Sequence, residues 1–286
     1  MKLSIMTGAC KSAFESGKYT VAEFLDALSA AGVSGIEPPW DWYRDAPQSW
    51  QALQKAAKER GFSFPCLDAY ADLGSGDPGK NLETLQNLRE VFIFCRDEIA
   101  CPVVLLYGSK PAPGMSLFEG RRNYASMLVR CAELAAEYGI TVCIEDYGGN
   151  PEFSSTSAQC LEVMTHAGSS LLRLNFDNGN FLLGDERPLD ALENFKSRLI
   201  HVHIKDFQRR VPDAKDQSLC SLAGVQYQSC ALGEGAGEVA PCIRRLHEIG
   251  YQGWLSAEIA TVNLDWIAQE IAYIAGVLQT LKGTEQ

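Results

Sequence analysis

One pattern runs from end to end of this chain: a short apolar run of strand character, a turn, then an amphipathic stretch with helical spacing. The strand candidates are Leu3–Met6, Gly35–Glu37, Phe62–Leu67, Val103–Tyr107, Thr141–Glu145, Leu171–Asp177, Leu199–Lys205 and Trp254–Glu258. The helical stretches are Thr20–Ala31, Gln48–Arg60, Asn81–Ile99, Arg121–Tyr138, Ser157–His166, Pro188–Ser197, Ala240–Ile249 and Leu264–Leu281. Glycine stands just past five of those helices, at Gly32, Gly61, Gly139, Gly168 and Gly250, and Thr20 and Ser157 are suited to N-caps. Eight alternations in 286 residues predict an α/β fold, a single closed (β/α)8 TIM barrel over residues 1–286. A doubly wound open sheet would carry a phosphate-binding fingerprint after its first strand, where Thr7-Gly8-Ala9-Cys10 stands instead.

Charge narrows the function. The chain has 25 Lys+Arg against 36 Asp+Glu, a net charge of −11, and its basic residues cluster no further than the pairs Arg121-Arg122, Arg209-Arg210 and Arg244-Arg245. A phosphate-tracking surface needs more than that, so no nucleic-acid partner is expected. No segment approaches the roughly 20 apolar residues of a membrane span. Met1–Met6 has one positive charge and too short an apolar stretch for a secretory signal, and the ten cysteines form no Cys-x-x-Cys pair. The expectation is a cytoplasmic protein with reduced thiols and no membrane partner. Exposed helix faces leave a homo-oligomer open, with no interface identifiable.

Two connections are long for such a barrel, Gly108–Gly120 and Asp206–Val239. Both follow strands, so they fall on the C-terminal face, and the 206–239 loop is expected to act as a lid. Gly233-Glu234-Gly235-Ala236-Gly237 is read first as its hinge; the alternative, a phosphate loop, lacks the Lys-Ser/Thr ending.

Side chains two apart on a strand share a face. On one parity the last four candidate strands end in Glu145, Asp177, His203 with Lys205, and Glu258. Buried unpaired, these groups would be costly; a bound divalent cation resolves the cost, and the mixed oxygen and nitrogen set suits Mn²⁺ first, then Mg²⁺, Co²⁺ or Zn²⁺. Taken singly, each has a plainer reading: a solvated rim carboxylate, or a hydrogen-bonded core histidine.

The segments Ile144-Glu145-Asp146, Phe176-Asp177-Asn178-Gly179-Asn180, His201-Val202-His203-Ile204-Lys205-Asp206 and Ala257-Glu258, with Gly250–Trp254 before the last, resemble the sugar isomerase/epimerase superfamily with the xylose isomerase-like barrel. The likeness covers most of the chain, is sharpest from Thr141 to Glu258, and is nearest to the ketose 3-epimerases and their relatives, hydroxypyruvate isomerase and inosose dehydratase among them. It implies that Glu145, Asp177, His203 and Glu258 ligate one metal ion and that Glu145 and Glu258 double as acid/base groups. It also places a substrate-binding role on Arg209, and on Asn180 where the epimerases commonly have a histidine. The few histidines and the acidic charge speak against the endonuclease branch.

The implied activity is a metal-dependent sugar isomerase or epimerase acting on a ketose through a cis-enediolate, with the two glutamates on opposite sides of its plane. The alternatives are a dehydratase or lyase of a keto-sugar or keto-inositol, and a sugar-binding barrel without turnover. His201 and Lys205 share the inward parity with His203 and are candidates to orient ligands or substrate. Glu37 and Asp68 are candidates for sugar hydroxyls, although rim solvation is the plainer reading. Tyr107, with Trp40, Trp42 and Tyr43, is a candidate apolar wall for a sugar face.

Overall fold

A computed structural model describes residues 1–210 and 219–282. Apolar side chains on the outward parity drive eight strands into one parallel sheet: β1 (Lys2–Met6), β2 (Gly35–Glu37), β3 (Leu67–Tyr70), β4 (Val103–Tyr107), β5 (Thr141–Ile144), β6 (Leu172–Asp177), β7 (Leu199–Ile204) and, after three short strands, a last one. The three are β8 (Phe207–Arg209), β9 (Leu219–Cys220) and β10 (Gln226–Ser229), and the last is β11 (Trp254–Ala257). The order around the sheet is β2-β1-β11-β7-β6-β5-β4-β3. Hydrogen bonds from Ile36 N to Ser63 O (3.0 Å), Ser63 N to Ser34 O (2.9 Å) and Asp68 N to Pro38 O (3.1 Å) nearly close the ring between β2 and β3.

The outward side chains of the strands, among them Ile36, Val104, Val142, Leu174, Phe176, Val202 and Leu255, are fully buried under the helices. The helices contribute Phe24, Leu53, Phe92, Leu128, Phe195 and Ile243 to that layer. Inside the barrel the side chains are unusually polar: Ser4, Asn175, His201, His203 and Ser256 are buried there, beside Cys66, Leu105 and Cys143. Cα register sets Ser256 beside Ser4 and His203, and His203 beside Asp177. A (β/α)8 interior normally holds branched aliphatic residues, so this polar column is the first structural sign of a site.

Four local expectations change. The third strand forms at Leu67–Tyr70 and not at Phe62–Leu67, because Pro65 has no N–H for a ladder; Phe62 and Phe64 are buried, but before Leu67 only Ser63 bridges to β2. The helix after β4 starts at Leu117, four residues early, since Ser116 and Glu119 form a reciprocal capping box. The cap of the helix Ser157–Ala167 is Thr156, with Gln159 as its box partner. The connection 206–239 is partly ordered: β8, β10 and β9 form an antiparallel sheet in that order, while the part of the loop at 211–218 lies outside the described residues. Among the described residues no helix is long and apolar enough to cross a membrane, and all ten cysteines are free thiols.

The outer layer makes a direct test of the barrel. Phe176 is wholly buried between Phe181 and Phe195, with ring centroids 5.4 and 6.4 Å away. Phe176→Ala is expected to destabilise the protein by about 3–5 kcal/mol in denaturant unfolding, a buried aromatic being removed with little collapse possible. A loss below about 1 kcal/mol would contradict this packing.

Candidate active site

The C-terminal ends of β5, β6, β7 and β11 converge on one imidazole. His203 Nδ1 lies 3.6 Å from Glu145 Oε2, 4.0 Å from Asp177 Oδ2 and 3.7 Å from Glu258 Oε2. It is buried and has no hydrogen-bond partner. Glu145, Asp177 and His203 offer ligand atoms within 4.8 Å of one another. An unpartnered buried ring nitrogen facing three carboxylates is a donor set that fits a divalent cation. Burial pushes the Asp177 carboxyl up to about 7; Lys205 opposes this, while Glu258 and Glu145 add to it. A cation among these groups would reverse that direction.

The other face of the imidazole explains its aim. Glu37, at the end of β2 and wholly buried, accepts from His203 Nε2 through Oε1 (2.9 Å) and from His201 Nε2 through Oε2 (2.8 Å). A carboxylate can only accept, so both Nε2 atoms carry a proton and Nδ1 is the ring nitrogen of His203 left to face the site; burial would lower this imidazole, but Glu37 and Glu145 outweigh it and hold the group well above its ordinary range until a cation takes the proton's place. Burial would raise the Glu37 carboxyl, but His201 and His203 outweigh it and hold the group well below the usual carboxylate range. Glu37 and His201 therefore do not meet the expectation of substrate contact. They sit beneath the cavity and line none of it, because parity says which way a side chain faces but not how deep it lies.

Lys205, just past β7, bridges Asp177 Oδ2 (2.7 Å) and Glu258 Oε2 (2.8 Å). Burial works against its ammonium, but Asp177 and Glu258 outweigh it and keep the group charged. Its backbone is held by Asn178, whose Oδ1 accepts from Lys205 N (3.0 Å) and whose Nδ2 donates to Lys205 O (2.8 Å) and Gly237 O (2.7 Å). At Gly179 a Cβ would collide with the Lys205 stem, so glycine is needed for this approach. Asn180 lines the cavity and donates to Asp177 Oδ2 (3.0 Å), so its first partner is the carboxylate and not a substrate hydroxyl.

Above this floor opens a cavity of about 810 Å³. Tyr107 lines it as expected, with Tyr147 beside it at 5.8 Å between ring centroids. Trp40, Trp42 and Tyr43 do not line it: Trp42 is a core residue bonded to Ser49, and Trp40 stacks on Tyr43. Arg209 is exposed on β8 and outside the cavity wall. Asp68 is no solvated rim group; it is buried, lines the cavity and has Oδ1 unpartnered. Tyr147, Phe207 and Trp266 also line the site, and reasoning from the ends of the barrel strands passes over them because they stand in a loop, on the short strand β8 and on the last helix.

The glycine segment proves to be a clamp. Asp206 Oδ2 accepts from Gly233 N (2.9 Å) and Gly235 N (3.0 Å), and Oδ1 from Gly237 N (2.8 Å) and Phe207 N (2.9 Å). A Cβ at Gly235 would strike Asp206 Oδ1 and the Phe207 carbonyl. The backbone donors that would hold a phosphate already surround an internal carboxylate, which removes the phosphate-loop alternative.

The hydrogen bond from His203 to Glu37 predicts graded losses. Glu37→Gln should weaken divalent-metal binding about 10–100-fold, as removal of a ligand-orienting carboxylate commonly does, and His203→Ala should weaken it further. Metal titration alongside far-ultraviolet circular dichroism separates this from unfolding. Wild-type metal affinity in both variants would refute the assignment.

Comparison with known proteins bears on the fold. An inosose dehydratase of Clostridium botulinum (strain Alaska E43 / Type E3) is 27% identical over 152 residues, 50% of this chain and 50% of that one. The chain thus matches about half the length of that relative. Among solved structures, the IOLI protein with a bound zinc atom superimposes with a TM-score of 0.74 at 16% identity, covering 98% of this chain and 99% of the other. The probable 3-DHS dehydratase AsbF, involved in petrobactin synthesis, from Bacillus anthracis gives 0.73 at 17% identity, over 96% and 99%. A D-tagatose 3-epimerase-like protein gives 0.73 at 18%, over 100% of both chains. These identities speak to fold alone. Residues 25–277 match the sequence family described as "Xylose isomerase-like TIM barrel", and with the barrel and its strand-end cluster in place, the chain belongs to that family.

Proposed function

We propose that this protein is a divalent-metal-dependent dehydratase that removes water from a polyhydroxylated ketone, a keto-inositol or keto-sugar. The observation that carries the reading is the Lys205 ammonium seated between Asp177 and Glu258. Inversion at carbon by two bases needs two carboxylates free to face its two sides. Here Glu258 is engaged by an ammonium and Glu145 is not, an asymmetry that suits elimination better than inversion. The likeness to an inosose dehydratase supports the same choice over the epimerase expected first.

Glu145, Asp177, His203 and Glu258 would hold the metal ion, which when bound polarises the substrate carbonyl and acidifies the neighbouring C–H. Glu145 takes that proton. The C–O bond to the next carbon breaks as the electron pair forms the C=C bond. Lys205 has three N–H groups, of which two meet carboxylates, and the third is available to the departing oxygen. The proton held by Glu145 passes to the leaving hydroxide, so that one water departs and both groups return to their starting states. The product is the enol of a 1,2-diketone. Asp68, with an unpartnered oxygen at the cavity wall, accepts from a ring hydroxyl.

Metal-loaded protein incubated with a keto-inositol in heavy water is expected to yield a product lighter by one water and absorbing in the ultraviolet. Glu145→Gln and Lys205→Met should each lower turnover about 100-fold or more, and chelation should stop it. Recovery of a deuterium-labelled epimer with no loss of water would restore the epimerase reading.

A further inference from the structure

The cavity is lined by more than the polar cluster at its floor. Its floor holds Glu145, Asp68, His203, Lys205 and Glu258. The rest of the wall includes Tyr107, Tyr147, Phe207, Leu219, Leu232 and Trp266, along with the polar side chains of Gln228, Ser229 and Thr261. The volume of about 810 Å³ lies high in the roughly 300–1,000 Å³ range of sites that enclose drug-sized ligands, far beyond one ring polyol. An anionic group is disfavoured in this cavity. Among the described residues the cavity wall includes one lysine, Lys205, already bound to two carboxylates, and no arginine, while five carboxylate side chains line the same space.

Trp266 is the best-placed apolar surface of this wall. It is 49% exposed, yet its ring is held in place by the bond from Nε1 to Glu270 Oε1 (2.7 Å). Glu270 is itself buried, and its Oε2 accepts from Leu232 N (2.7 Å). One buried carboxylate from the last helix thus fixes two of the wall residues together. A large half-exposed indole with a fixed orientation at the mouth of a site is a preformed face for an aryl or other apolar group.

We infer that the part of the cavity above the floor, with Trp266 as its platform, is a subsite for an uncharged apolar or aryl substituent carried by the keto-polyol that reacts on the floor. The inference rests on the dehydratase reading only for the identity of the floor ligand. The substrate class is then an aryl- or alkyl-substituted keto-cyclitol or keto-glycoside, in preference to a phosphorylated sugar.

Binding without chemistry tests this. Calorimetric titration of Mg²⁺-loaded protein would compare myo-inositol, its mono-O-phenyl ether and its monophosphate, none of which can be dehydrated by this route. Wild type should bind the phenyl ether at least about tenfold more tightly than myo-inositol, the gain expected from burying one aromatic ring. Trp266→Ala should bring the two within about twofold, and Trp266→Phe, which keeps an aromatic face, should retain most of the preference. Equal affinity for the ether and the parent in wild type, a preference that survives Trp266→Ala, or tightest binding of the phosphate would each overturn the subsite. Release of water from a keto-inositol is measured separately, so loss of the dehydratase reading and loss of the subsite give different results.

Discussion

The site depends on one buried carboxylate. Glu37 has no access to water, and an isolated charge in that position would be strongly disfavoured. It is tolerated because each oxygen accepts from a different imidazole, His201 on one side and His203 on the other. The bond to His203 puts a proton on its Nε2, turns Nδ1 toward the cavity and stops the ring from rotating. Glu145, Asp177 and Glu258 are then arranged around an atom whose position was decided on β2, across the barrel.

Around that axis the protein balances negative charge in layers. Lys205 shares its one positive charge between two of the three carboxylates near His203, and Asn180 with the backbone N–H groups of Gly179 and Asn180 also donates to Asp177. Further out, Asp206 and Glu270 are also buried carboxylates, but their partners are loop N–H groups and the Trp266 indole, so they work as anchors and not as reactive groups. Charge-assisted bonds of this kind are stronger than neutral ones, which suits them to fixing the base of a long connection over the site. The asymmetry between Glu258, tied to Lys205, and Glu145, free of it, is the feature that gives the proposed chemistry its direction.

Much of this was legible before any coordinates. Seven of the eight barrel strands fall where apolar runs placed them, because outward side chains must be apolar to sit under helices. Glu145, Asp177, His203 and Glu258 meet because strand parity and a common position at strand ends leave them little other place to point. The exceptions have local causes. Pro65 moves the third strand, and a capping box at Ser116 lengthens a helix backward. The family resemblance implied a substrate role for Arg209, but that residue stands exposed on β8 and lines none of the cavity.

What the sequence determined by itself was the alternation, the inward parity of the polar residues and therefore the existence of a mixed carboxylate and imidazole cluster on one face of a barrel. All of that follows from periodicities of the backbone, which act over a few residues. What only the tertiary structure decided was depth and partnership: Glu37 and His201 under the site instead of in it, Lys205 between two carboxylates, Asp206 inside its own glycine loop, and Trp266 at the cavity mouth. These depend on contacts between residues far apart in the chain, up to 166 positions for Glu37 and His203. Burial and charge pairing are set by where the folded elements come to rest, and no local pattern carries that information.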